Sequence, residues 1–190
     1  MTWACCSAPC LPTKAVSPPS GSVWLHEIKH DGFRLVARKD GDHVRLYSRP
    51  GNSLTERFPL IVEALLRLRS RSCIIDGEAV CCDDKGVPSF NLLRYRRRNG
   101  SVFLYAFDLM ELNGDDLRRE PFEVRKATLA SVVAKAAPGV RLNEHIEADG
   151  PCPFSKPYPP RNLAFVTLLD RLGHDGMGVS MDRCAGSTPP

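Results

Sequence analysis

Asp31-Gly32 separates two extended stretches, residues 23–29 and 33–39, and it constrains the fold of this chain more than any other step. Asp-Gly between such runs is a strong hairpin signal, because glycine takes a positive φ at little steric cost. A hairpin here would lay the second stretch back along the first and return Arg34 toward Lys29 in the string E-I-K-H-D-G-F-R. Side chains alternate along a strand, so Glu27 and Lys29 share a face while Ile28 points the other way. A lysine attacks only as the free amine, a form favoured by desolvation or by nearby cations. An arginine beside it is suited to gripping phosphate oxygens. The residues alone also fit a solvated polar turn, since K-x-D-G-x-R is ordinary turn chemistry.

After a Pro/Ser-rich leader, residues 1–21, strands are predicted at 23–29, 33–39 and 43–48, the last two joined through Asp40-Gly41-Asp42. Phe58, Leu60, Ile61, Ala64, Leu65 and Leu68 recur at helical spacing, with Pro59 suited to a first turn. A buried strand follows at 73–82, then a short helix at 89–96, a long strand at 102–111 ending in Asn113-Gly114, a helix at 122–136 and a brief strand at 140–146.

The strand C-I-I-D-G-E-A-V-C-C carries charge where packing would not ask for it. Burying a carboxylate is costly unless it is paired or faces a ligand, and Asp76 and Glu78 lie two apart, hence on one face. A simple turn at Asp76-Gly77 is the competing reading. On 102–111 the rings of Phe103, Tyr105 and Phe107 alternate onto one side, the usual mark of core, yet Phe107 directly precedes Asp108. A ring beside polar groups is suited to stacking on a purine.

With 43% hydrophobic and 25% charged residues, the 190-residue chain has the composition of a globular domain with a full core. No apolar run approaches a membrane span and no basic region precedes an apolar one at the N-terminus, which predicts a cytoplasmic protein without membrane partners. Eight cysteines occur without a C-x-x-C pair, and the adjacent Cys81 and Cys82 would face opposite sides of a strand, so reduced thiols are expected rather than a metal site. The formal charge is +4, with basic clusters at Arg67, Arg69 and Arg71 and around Tyr95 at Arg94, Arg96, Arg97 and Arg98. Such patches suit a nucleic-acid backbone and equally suit solvated helix ends.

In order along the chain, E-I-K-H-D-G-F-R, S-R-P-G at 48–51, I-D-G-E at 75–78 and L-Y-A-F-D at 104–108 resemble the nucleotidyltransferase (adenylation) domain of ATP-dependent DNA ligases. The leader C-L-P-T-K-A-V-S-P-P-S-G and W-L-H-E-I-K-H-D-G-F-R are similar to the bacterial end-joining ligases, and the resemblance covers residues 8–149. It implies an α+β fold of the ATP-grasp-like nucleotidyltransferase kind, with antiparallel sheets flanked by helices and the ATP pocket between sheets. The domain core is expected at 22–149 and a divergent, partly irregular tail at 150–190, with no room for the family's oligonucleotide-binding-fold domain.

The resemblance also implies residue roles. Lys29 matches the lysine that attacks the α-phosphate of ATP and becomes lysine-linked AMP. Glu27 matches the residue at the adenine edge, Arg34 and Arg49 those around ribose and phosphates, Glu78 the ribose- and metal-side carboxylate, and Phe107 the ring stacked on adenine; Asp31 orders the lysine loop. ATP and Mg2+ are the implied cofactors. Nicked or broken duplex DNA is the implied partner, joined by end-joining proteins or a separately encoded C-terminal part. The chain departs from the pattern late. The nearest string to the family's fourth motif, D-G-M-G-V-S-M at 175–181, lacks its lysine, and no lysine follows Lys156 where the fifth motif supplies phosphate-binding lysines. A non-catalytic ATP- or DNA-binding remnant, and an RNA ligase or capping-type guanylyltransferase sharing K-x-D-G, are the alternative readings.

Overall fold

The computed structural model describes residues 13–14, 24–84, 86, 88–95, 101–147, 164–169 and 178–181. They fall into two units by contact, one formed by Asp31–Asn143, the other by residues up to His30 together with those from Glu144 onward.

The first unit is a six-stranded sheet with helices. Its strands are β3 (Phe33–Asp40), β4 (His43–Ser48), β5 (Ser72–Val80), β6 (Phe103–Leu112), the short β7 (Asp115–Asp116) and β8 (Val140–Leu142). The order is β4-β3-β5-β6-β7, and β8 runs parallel to the first half of β6. Alternation decides which residues enter the core. Leu35 and Ala37 of β3, Val44 and Leu46 of β4, Cys73, Ile75 and Ala79 of β5, and Leu104, Ala106 and Leu109 of β6 lie in one apolar cluster. Ile61, Ala64 and Leu65 of α1 (Pro59–Leu66) and Leu129 and Val133 of α3 (Phe122–Val133) close over it. Pro59 opens α1, where a missing N–H costs nothing. A 3-10 turn, Thr55–Arg57, precedes α1, and α2 (Phe90–Arg94) is a single short helix.

The second unit is a five-stranded sheet, β1-β11-β10-β2-β9, collected from distant parts of the sequence. These strands are β1 (Thr13–Lys14), β2 (Trp24–Lys29), β9 (His145–Glu147), β10 (Ala164–Leu169) and β11 (Gly178–Met181). All pairings are antiparallel except β6 with β8 and β1 with β11. The fold is α+β, as the sequence predicts.

The hairpin expected at Asp31-Gly32 does not form. β2 pairs with β9 and β10, whereas β3 pairs with β4 and β5, so the chain changes sheet at this step. The glycine is required for a different reason. Among the described residues the glycines with positive φ are Gly41, Gly51, Gly86 and Gly114, and Gly32 is not one of them. A Cβ on Gly32 would lie 2.2 Å from the Ala79 carbonyl oxygen and 2.9 Å from Glu78 Cγ, so close approach to β5 is what excludes other residues.

Asp76-Gly77 likewise is no turn but the middle of β5, where a Gly77 Cβ would stand 2.6 Å from the Tyr105 carbonyl oxygen. The genuine two-residue loops are Gly41-Asp42, between β3 and β4, and Asn113-Gly114, between β6 and β7; both residues of the latter have positive φ. The strand expected at 140–146 is two strands, β8 in the first unit and β9 in the second. They part at buried Asn143, whose N–H donates to the Ala106 carbonyl at 2.8 Å.

No helix among the described residues is long and apolar enough to cross a membrane. Cys73, Cys81 and Cys82 are free thiols, and burial pushes Cys73 and Cys82 above the ordinary thiol range. Arg96 to Arg98, the remaining cysteines, Lys156 and Asp175 lie outside the described residues.

Candidate functional site

Because Leu35, Ala37, Ile75 and Ala79 face the core, alternation turns Arg34, Val36, Asp76 and Glu78 to the opposite side of the first unit's sheet. Arg34 is the Cα partner of Glu78, and Val36 of Asp76. The Arg34 guanidinium reaches diagonally past Glu78's position to Asp76, with Nε donating to Oδ1 at 3.2 Å and Nη2 to Oδ2 at 2.7 Å. The Asp76 side chain is only 3% exposed. Burial pushes its carboxyl above the usual carboxylate range, and the Arg34 fork opposes that shift. One edge of Arg34 is thereby committed to a carboxylate of its own sheet. Glu78 Oε1 accepts the Gly32 N–H at 3.0 Å, pinning the residue just after Asp31 to β5.

Phe107 owes its position to an irregularity. In the β5–β6 ladder Asp76 stands opposite Asp108 and Gly77 opposite Ala106, which leaves Phe107 as an inserted residue. A bulge of this kind bends the strand and re-aims its side chains. Here the Phe107 ring lies under Arg34, with the guanidinium carbon 5.2 Å from the ring centroid. The bulge is held from α3. Lys126 Nζ donates to the Phe107 carbonyl at 3.1 Å, and Arg125 grips Asp108 through Nε to Oδ1 at 2.9 Å and Nη2 to Oδ2 at 3.2 Å. Sequence reasoning named neither α3 residue. A signal existed for Lys126, which falls on the buried stripe Phe122, Leu129, Val133 of its helix.

Arg49 is exposed at the corner of a self-bonded loop after β4. There Gly51 N–H donates to the Ser48 carbonyl at 2.8 Å, Asn52 N–H to Ser48 Oγ at 3.1 Å, and Gly51 takes φ 91°. Arg34, Glu78 and Phe107 thus share one face of the first unit's sheet, and Arg49 stands at the end of its edge strand. Glu27 and Lys29 belong to β2 in the second unit. Buried Glu27 lies between His145 of β9 and Val166 of β10 in the register, and partly buried Lys29 is the partner of Ala164. Among the described residues, no three His, Cys, Asp or Glu side chains gather as a metal cluster.

A family model described as the ATP dependent DNA ligase domain matches residues 10–154. The chain belongs to that family. Its similarity to the "Multifunctional non-homologous end joining protein LigD" of Pseudomonas aeruginosa is 39% identity over 129 residues, 66% of this chain and 15% of that protein. The protein of the same name from Mycolicibacterium smegmatis is 31% identical over 145 residues, 76% of this chain and 19% of the relative. Among solved structures, the ligase domain of M. tuberculosis LigD superposes with TM-score 0.65 at 32% identity, covering 75% of this chain and 48% of that one. A mycobacterial DNA ligase D complexed with ATP and MES gives TM-score 0.72 at 26% identity, covering 92% and 60%. This ligase-family chain therefore spans under a fifth of those end-joining proteins and about half of the solved ligase domains.

Proposed function

We propose that this chain performs the self-adenylation step of an ATP-dependent DNA ligase serving the joining of broken or nicked duplex DNA. Lys29 is the acceptor. Its neutral Nζ attacks the α-phosphorus of ATP, the N–P bond forms as the bond to the β-phosphate oxygen breaks, and pyrophosphate departs with lysine-linked AMP left on the chain. AMP then passes to a 5′-phosphate at the break, where attack by a 3′-hydroxyl seals the strand and releases AMP.

The observation that carries this reading is the shared face of the first unit's sheet, in a chain of ligase family. A stackable ring, Phe107, lies with Arg34 and Glu78 on a surface that the core does not need. Phe107 offers a face to the adenine, and Arg34 and Arg49 offer guanidinium donors for phosphate or ribose oxygens. A magnesium ion fits this donor chemistry as a partner of the nucleotide, because Mg2+ is commonly held by one or two carboxylates plus substrate phosphates rather than by an all-protein cage. Glu78 is the residue that would hold it, and the ion would offset charge on the phosphates.

Incubation with Mg2+ and α-labelled ATP followed by denaturing electrophoresis tests the proposal. Label is expected on the native chain and none on Lys29→Ala; label that survives in the variant, or a native chain that takes none, defeats the assignment. A second reading, binding of ATP without turnover, is favoured by the string D-G-M-G-V-S-M at 175–181, the nearest to the family's fourth motif, which lacks that motif's lysine. It predicts calorimetric ATP binding with no covalent label.

A further inference from the structure

We propose that Lys126 is a positioning residue for the Phe107 ring, acting through the bulged backbone of β6 to hold the ring where a nucleobase can stack on it. The inference rests on the reading of Phe107 as a nucleotide-stacking residue.

Lys126 is 2% exposed on a helix stripe otherwise made of Phe122, Leu129 and Val133. Burying an ammonium costs far more than burying a leucine or methionine of similar length, which would complete that stripe without a charge. What a leucine lacks is the donor, and the ammonium donates to the carbonyl of the one residue that interrupts the β5–β6 ladder at this point. An inserted residue loses the regular ladder partners that fix its neighbours, so its backbone needs a hold from elsewhere. The adjacent residue of α3 grips the adjacent residue of the bulge, Arg125 on the Asp108 carboxylate. Backbone and side chain of the bulge are therefore clamped from a single helical turn, while the Phe107 ring meets Arg34, itself fixed by Asp76. A bulge free to slip by one residue would turn the ring toward the other face of the sheet.

A merely structural lysine would lower stability without a specific effect on nucleotide. The test is calorimetric ATP binding by the full chain carrying Lys126→Met, Lys126→Arg, Phe107→Leu, or Lys126→Met with Phe107→Leu, with thermal unfolding recorded for each. Lys126→Met is expected to weaken ATP binding about tenfold and Lys126→Arg, which keeps a donor, by less than about twofold. If Lys126 acts through the ring, adding Lys126→Met to Phe107→Leu changes affinity by less than about twofold. ATP affinity of Lys126→Met equal to the parent's, or a loss undiminished in the Phe107→Leu background, overturns the inference while leaving the nucleotide reading intact. Phe107→Leu binding ATP as the parent does, or a parent that binds no ATP, overturns that reading and the inference with it. Should Lys126→Met not fold, Arg125→Met releases the same bulge through Asp108, and its loss of affinity must show the same dependence on Phe107; an additive loss overturns the inference.

Discussion

The middle and the far end of the six-stranded sheet are built from the same residue types, Asp, Gly and Arg, put to opposite uses. In the middle, Gly32 and Gly77 make room for neighbouring backbone, and Arg34 and Asp76 form an ion pair shielded from water. At the far end, Gly41 turns β3 into β4 at φ 56° with nothing within 4 Å of where its Cβ would be, and the Asp116–Arg118 pair is more than a third exposed on both sides. The Asn113 carboxamide there accepts the Arg71 N–H at 2.8 Å, a surface tie between loops. Where these residues are exposed they decide conformation and little else. Where they are enclosed, each one constrains its neighbours, and there Arg34, Glu78 and Phe107 stand.

The largest expected difference is in the two ion pairs. Arg34→Met removes the partner of a buried carboxylate and should cost about 3 kcal/mol at neutral pH in urea unfolding. The cost should shrink in acid. Burial raises the folded-state value of Asp76 above the ordinary 3.8, so between those two values the folded chain holds a proton that the unfolded chain has shed. Loss of Arg34 raises that folded value further, so the cost is full above the variant's folded value and fades as pH falls from there toward the parent's. A loss below about 1 kcal/mol, or one that grows in acid, would erase the contrast with an exposed pair.

The glycines come next. Gly77→Ala drives a methyl into the Tyr105 carbonyl and Leu104, and overpacking of this kind should cost about 2 kcal/mol. Gly41→Ala meets open space and is penalised only for its positive φ, about 1 kcal/mol. Replacing Gly41 by Asn, which tolerates that region, should recover part of the loss, whereas Asn at position 77 should be worse than Ala. Equal effects of Asn at the two sites would show that one mechanism serves both.

This contrast also sets what was legible in the sequence. Local codes were readable: the Gly41-Asp42 hairpin, the Asn113-Gly114 turn and α1 with Pro59 at its start and Ile61, Ala64 and Leu65 on one face. At Asp31-Gly32 the same dipeptide misled, because it states which backbone shapes are permitted and not which strand will lie alongside; β2 found β9 and β10 from far along the chain. Residues 140–147 read as one strand because continuity of composition says nothing about a change of sheet at Asn143. Alternation put Arg34 and Glu78 on faces that could be assigned in advance. Alternation likewise put Phe107 opposite core Leu104 and Ala106, but the bulge after Ala106 is invisible to a two-residue period, and Arg125 and Lys126 hold that bulge from a helix whose partner strand the sequence does not name.

The smallest effect belongs to the exposed pair. Hydrogen bonds from the Arg118 side chain and N–H pull Asp116 down from 3.8 to about 2. A depressed carboxyl contributes stability that is present above 3.8 and is lost as pH falls through about 2, the reverse of Asp76. Solvent screens such a pair, so Arg118→Ala should cost less than about 0.5 kcal/mol at neutral pH. The carboxyl resonance of Asp116, followed by NMR across the acid range, should move its midpoint back toward the ordinary aspartate value in the variant. A midpoint unchanged by Arg118→Ala would mean that the guanidinium is not what holds Asp116 down. A stability loss as large as that of Arg34→Met would mean that enclosure from water is not what separates the two ends of the sheet.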